Sequence, residues 1–190
     1  AGEGKTTTAT NLAIVLSQAG ARVLLIDADL RRPRIHQLMN CDATYGLTDN
    51  LTGESLEMTL TSIDDHLSVL PAGRIPSNPS EMLSSRTMSL MITSLRDSYD
   101  YVIIDSPPAL PVSDAVALAR HADGVIVVVQ AGRATVPEVQ RTLDRLEQVS
   151  ARVLGLVLTR TSKKSLGPYG YGYGYGYGPN TAAPPLDRSS

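Results

Sequence analysis

A doubly wound α/β fold with a mainly parallel sheet is predicted by three features of the chain. Four short apolar runs alternate with segments of helical periodicity, the grammar of βαβ units. Two of those runs end in aspartate, as LLIDAD and YVIID. A glycine-rich stretch, AGEGKTT, stands directly before the first helical segment.

Each element has a local reason. Thr6 to Ala19 carries Leu12, Val15, Leu16 and Ala19 at helical spacing, and Gly20 is the stop signal. Val23 to Ile26 is a fully apolar run, as a strand buried on both faces requires, and it delivers Asp27 and Asp29 to the sheet edge. Pro33 then opens a helix after the basic turn that holds Arg31, Arg32 and Arg34. Ser80 to Ser98 is predicted helical from Met82, Leu83, Leu90, Met91 and Leu95. The strand Tyr101 to Asp105 follows, then a helix over Val112 to His121 and a strand over Gly124 to Val129. A helix over Val136 to Val149, with Val139, Leu143 and Leu146 inward, leads to the last strand, Val153 to Leu158. Right-handed crossovers place these helices on both faces of the sheet.

From about Ser162 the composition changes to Gly, Pro and an alternation of tyrosine with glycine. The expected organisation is therefore a core over residues 1–161 and a disordered tail over 162–190.

Composition narrows the function classes. At 190 residues and 42% hydrophobic content the chain can bury one proper core. A net charge of −2 gives no global basic field, so nucleic acid is not an expected partner. Cys41 is the sole cysteine, which excludes an internal disulfide framework and a cysteine zinc cage and favours an intracellular setting. No run approaches the roughly 20 apolar residues of a spanning helix, and no signal-peptide pattern opens the chain. His36, His66 and His121 show no metal-ligand spacing.

The chemistry concentrates at the sheet edge. Gly2, Glu3, Gly4, Lys5, Thr6 and Thr7 form most of a G-x-x-x-x-G-K-[ST] phosphate loop, whose first position and feeding strand are expected upstream of Ala1. Without a Cβ, the glycines let backbone N–H groups converge on phosphate oxygens, and the next helix adds its positive end. Lys5 then reaches the β and γ phosphates of a nucleotide such as ATP, and the Thr6 hydroxyl is a ligand for Mg²⁺. Asp105 is suited to hold a magnesium-bound water, and Asp27 to lie near the metal or the nucleophile. Asp29 is suited to catalysis or to organising its own loop. The three arginines after it fit either phosphate recognition or an exposed turn.

With these pieces placed, the chain resembles the bacterial tyrosine kinases of capsule and exopolysaccharide biosynthesis, a branch of the MinD/ParA-like P-loop ATPases. GEGKTT, LLIDADLRRP, GLTDNLTG, LPAGRIPSNPSEML and YVIIDSPP carry the resemblance. It implies ATP and Mg²⁺ as cofactors, with phosphate and metal roles for Lys5 and Thr6, metal and acceptor roles for Asp27 and Asp29, and metal support from Asp105. It implies a homo-oligomer, in ring form in the family, and a transmembrane activator, fused or separate, that holds the kinase at the inner face of the cell membrane. It also implies polysaccharide synthesis and export proteins as partners. The chain departs from the family at Thr159 and Arg160, where members often have asparagine near the adenine.

Tyr169, Tyr171, Tyr173, Tyr175 and Tyr177 are the expected phosphoacceptors. Making a phenolate at pH 7 costs about 4 kcal/mol, but a loose phosphoryl-transfer transition state asks little nucleophilicity of its acceptor, so Asp27 is expected mainly to orient the hydroxyl. The glycine-rich segment from Thr161 to Tyr169 spans roughly 15–18 Å root-mean-square, enough to reach its own site or a neighbour's. The competing expectation is a MinD/ParA-type ATPase switch whose tail carries no chemistry; a third is a nucleotide-binding module without activity.

Overall fold

A computed structural model describes residues 2–110 and 113–161. Six strands and eight helices occur in the order α1 (Lys5–Gln18), β1 (Val23–Asp27), α2 (Ile35–Met39), α3 (Leu47–Leu51), α4 (Leu56–Thr59), β2 (Thr61–Ser62), β3 (Leu67–Leu70), α5 (Pro79–Leu83), α6 (Arg86–Leu95), β4 (Tyr101–Asp105), α7 (Asp114–Ala119), β5 (Val125–Gln130), α8 (Val136–Glu147) and β6 (Val153–Thr159) among the described residues. The expected tail, with its tyrosines, lies outside the described residues, as does Val112 at the start of one predicted helix.

β1 is the centre of a four-stranded sheet ordered β2-β3-β1-β4, parallel except for the short edge strand β2. All five of its residues are buried, which explains the unbroken apolar run. Two cores flank it. Leu24 and Ile26 point into one with Leu83, Met88, Ile92, Leu95 and Leu118 of α5, α6 and α7. Val23 and Leu25 point into the other, with Ala13 of α1, Ile35 of α2, and Leu67 and Val69 of β3. Alternation along one strand thus feeds helices on both faces, as the doubly wound reading requires.

β5 and β6 pair in parallel as a separate two-stranded sheet. Among the described residues, β4 and β5 pair with no strand on their facing edges; between them runs a groove of about 750 Å³ bordered by Leu12, Ile104, Ile126 and Leu154.

Three local expectations are corrected. Helix α1 does not bury Leu12 and Val15, which are 37% and 61% exposed. Thr10, Ala13 and Ser17 are buried instead, with Ile14 and Leu16 partly buried against the same core. The predicted helix over Ser80 to Ser98 is two helices, α5 and α6. Ser84 turns its hydroxyl back to the carbonyls of Ser80 and Glu81, and Ser85 caps α6 by accepting from the Met88 N–H, so adjacent serines compete with the backbone ladder at the break. The parallel strand β3 was not expected at all; four residues, one of them serine, are too few to establish a period.

The segments GLTDNLTG and LPAGR hold each other. Leu47 and Thr48 donate their N–H groups to the carbonyls of Pro71 and Ala72 at 2.7 and 3.0 Å. The buried Asp49 accepts from the Gly46 N–H at 3.0 Å and from Arg74 Nε at 2.8 Å. A side chain on Gly46 would collide with the Pro71 carbonyl and the Gly73 nitrogen, so the close approach admits only glycine. This knot closes the sheet edge beyond β3.

Candidate active site

The phosphate loop turns on Gly4, whose φ of 92° is open to glycine and strained for any other residue. Its carbonyl receives both the backbone N–H and the hydroxyl of Thr8 at 2.8 Å, which starts α1. Lys5 Nζ lies 2.7 Å from Glu3 Oε2. Burial works to raise the Glu3 carboxyl, but the hydrogen bond and charge of Lys5 outweigh it and leave Glu3 below its usual range. Thr7 is exposed on the first turn of the helix. From across the loop, Thr159 at the end of β6 donates its hydroxyl to the Glu3 carbonyl at 2.6 Å. Its methyl would lie 3.4 Å from a Cβ at Gly4, so β6 and the loop are in close contact.

The acidic residues stand beside that loop. Asp27 and Asp105 are register partners on the adjacent parallel strands β1 and β4, so both carboxylates leave the sheet at one edge. Asp105 is 3% exposed and Asp27 is fully buried. Burial is the main cause that pushes Asp105 up to about 6; a hydrogen bond from the Thr6 hydroxyl and the charge of Lys5 act against it, and the neighbouring Asp27 and Asp29 act with it. Burial also raises Asp27, over the opposing effect of three backbone hydrogen bonds.

Those bonds define what Asp27 does to the chain. Its Oδ2 accepts from the N–H groups of Arg34 and Ile35 at 2.9 Å each, which caps α2, and its Oδ1 accepts from the Asp29 N–H at 3.3 Å. Asp29 is half-buried and uses Oδ1 to accept from the N–H groups of Arg31 and Arg32 at 3.3 and 3.1 Å. Loop organisation, expected of Asp29, is therefore shared by both aspartates.

The three arginines differ. All three are exposed, but Arg31 also forks onto Asp114 at the start of α7, with Nε 2.6 Å from Oδ2. Asp114 and Ser80 were not anticipated as site residues, and Thr159, expected near the adenine, instead bonds the phosphate loop. Asp114 is 83 residues from Arg31, and no local pattern signals such a pair. Among the described residues no group of three or more His, Cys, Asp or Glu is arranged to hold a metal. His121 Nε2 lies 3.2 Å from the Leu83 carbonyl, and burial pushes the Cys41 thiol up.

The site therefore joins a phosphate loop, a lysine, a hydroxyl and three carboxylates at the C-terminal edge of a parallel sheet, where such folds bind ligands. Residues 1–155 match the AAA domain family. The chain is 41% identical over 171 residues to the tyrosine-protein kinase YwqD of Bacillus subtilis, covering 89% of this chain and 72% of that protein. It is 37% identical over 174 residues to the succinoglycan biosynthesis transport protein ExoP of Rhizobium meliloti, but spans only 22% of that protein's length. Its structure superposes on the kinase domain of Escherichia coli tyrosine kinase ETK with a TM-score of 0.79 at 35% identity, covering 93% of this chain and 68% of that one. The septum site-determining protein MinD of Pyrococcus horikoshii, solved with Mg-ADP, superposes with a TM-score of 0.70 at 25% identity, covering 83% and 65% of the two chains. The chain thus belongs to the AAA domain family and, within it, to the bacterial tyrosine-protein kinases.

Proposed function

We propose that this chain transfers the γ-phosphoryl group of ATP to tyrosines of its own C-terminal cluster, Tyr169 to Tyr177, and that the cluster's charge then regulates capsule or exopolysaccharide synthesis and export. The observation that carries the reading is the pair of buried carboxyls, Asp27 and Asp105, held in register at one sheet edge with the Thr6 hydroxyl and Lys5 of the phosphate loop acting on Asp105.

Magnesium fits this donor set. It takes one or two protein oxygens beside phosphates and waters, and the Thr6 hydroxyl with the Asp105 carboxyl, whose charge burial disfavours, is a pair that a cation would complete. Bound there, magnesium supplies charge stabilisation to the phosphate oxygens.

Each residue has a task that its surroundings suit. Lys5 exchanges Glu3 for the β and γ phosphates, because its ion pair lies in the part-exposed mouth of the loop. Backbone N–H groups of Gly2 to Thr7 cradle the phosphates. Asp29 is the better placed of the two strand-tip aspartates to accept from an incoming phenol, since it is half-buried and Asp27 already accepts on both oxygens. The tyrosine oxygen bonds to phosphorus as the bond from phosphorus to the bridging oxygen of ADP breaks, and the phenol proton leaves late, to Asp29 or to solvent.

The same reading names the partners: other copies of this chain, a transmembrane activator that keeps the domain at the cytoplasmic face of the membrane, and polysaccharide assembly proteins. No helix among the described residues is long and apolar enough to cross a membrane. The test is mass spectrometry of the full-length protein, with its activator, after incubation with Mg-ATP. Phosphate on Tyr169 to Tyr177 is the expected result. ADP release with unmodified tyrosines would instead establish a MinD-type switch.

A further inference from the structure

We propose that Arg31, Asp114 and Ser80 form a positioning clamp that holds the two acidic loops in one register, so that the rate of phosphoryl transfer depends on it while nucleotide affinity does not. The inference rests on the kinase reading above and concerns residues outside its catalytic set.

The clamp joins three segments that the sequence keeps far apart. Arg31 Nε donates to Asp114 Oδ2 at 2.6 Å and its NH2 to Oδ1 at 3.3 Å, a fork onto both oxygens. Arg31 NH2 also reaches Ser80 Oγ at 3.4 Å, and the Ser80 hydroxyl donates to Asp114 Oδ1. Ser113 Oγ stands 3.5 Å from Ser80 Oγ. The Asp114 side chain is 1% exposed, whereas that of Arg31 is 42% exposed.

Position turns this pair into a link. Arg31 lies two residues past Asp29, and its own backbone N–H donates to Asp29 Oδ1. Asp114 closes the loop that Asp105 opens, at the first residue of α7. Ser80 sits on α5, which packs on α7. One ion pair therefore ties the turn carrying Asp29 to the helix start at which the loop from Asp105 ends. β1 and β4 align the carboxylates' backbones, and a last backbone bond from the Ala28 N–H to the Asp105 carbonyl at 2.9 Å follows the strand ends, after which the loops depend on other ties. The backbone of the phosphate loop has its own anchors, Thr159 and the first turn of α1, and meets the acidic loops only through side chains such as Thr6 and Lys5 beside Asp105. That separation is why rate and affinity should part company.

Arginine matters here because its planar fork satisfies both carboxylate oxygens, which a lysine point charge cannot do. Removing either partner leaves the other uncompensated, so the two removals are not independent.

The experiment measures kcat and KM for tyrosine phosphorylation, and the Kd for a fluorescent ADP analogue, in the full-length protein with its activator. Arg31→Gln and Asp114→Asn are each expected to lower kcat at least ten-fold with the ADP-analogue Kd within two-fold of wild type. The double variant is expected to be no slower than the slower single one, and Arg31→Lys to recover only part of the rate. A loss below three-fold in cooperatively melting variants, losses that multiply in the double variant, or kcat and ADP affinity falling together would overturn the clamp. Should Asp114→Asn fail to fold, the half-exposed Arg31 variants decide the matter alone on the split between kcat and Kd. If the wild type hydrolyses ATP without marking tyrosine, the kinase reading fails separately, and the same variants are scored on hydrolysis.

Discussion

Asp105 gives the sharpest quantitative test, because a carboxyl whose ionisation is opposed by burial makes stability depend on pH in a direction opposite to the usual one. Its pKa rises from an ordinary 3.8 to about 6 in the folded chain, chiefly by burial. Between those values the folded state binds more proton than the unfolded state, so stability falls as pH rises through this window and stays low above it. At about 1.36 kcal/mol for each pH unit, ionised Asp105 costs the nucleotide-free protein about 3 kcal/mol at pH 7.5 and almost nothing at pH 4. Asp105→Asn keeps an oxygen that can accept from Thr6 and removes the ionisation. It should therefore raise the melting temperature by about 6–12 °C at pH 7.5, the expected response of a domain this size to that energy. Near pH 4 the advantage should vanish. Thermal melts of wild type and variant from pH 4 to 8, without nucleotide or divalent cation, check this. A variant no more stable than wild type at pH 7.5, or a gain that does not change with pH, would refute the reasoning. The same variant should lose transfer activity, so stability and function are expected to move in opposite directions.

Lys5→Met should abolish tyrosine phosphorylation, scored by antiphosphotyrosine blotting, while the melting temperature moves little, since the Lys5–Glu3 pair is part-exposed. Initial autophosphorylation per subunit should rise with protein concentration if tails are presented between copies; a rate unaffected by dilution rejects transfer between reversibly assembling monomers. Asp49→Ala removes the acceptor of the buried Gly46 N–H and should cost about 1–3 kcal/mol in urea unfolding. Thr159→Val keeps the methyl contact with the phosphate loop and loses the hydrogen bond to the Glu3 carbonyl, so ATP-analogue affinity measured by fluorescence should fall several-fold.

How far the sequence could be read depended on whether the cause of a feature was local. β1 was readable because burial on both faces demands an unbroken apolar run, and Asp27 and Asp105 because each ends such a run. Gly4 was readable because its backbone conformation excludes most other residues. The buried face of α1 was not, since periodicity weighs apolar size while the fully buried positions are the small Thr10, Ala13 and Ser17. β3 pairs with β1 from a distant part of the chain, and its four residues carry no period of their own. The partner of Arg31 was out of reach for the same reason: an ion pair between loops leaves one charged residue in each and no mark of which belongs with which.

Two kinds of carboxylate therefore share one sheet edge, and the difference between them assigns the work. Asp49 and Asp114 are buried but each meets an arginine, so their charge is compensated within the chain and their role is to hold backbone. Asp105 is equally hidden and meets only a threonine hydroxyl and the more distant charge of Lys5, which leaves it short of compensation. Asp27, buried as well, is compensated only by backbone N–H groups, and a fold that pairs two of its four buried aspartates with arginine has the means to pair the others. That it keeps Asp105 beside the phosphate loop without such a partner is intelligible if the missing positive charge arrives with the nucleotide, and the energy that ionised Asp105 withholds from folding then strengthens the site's hold on a cation.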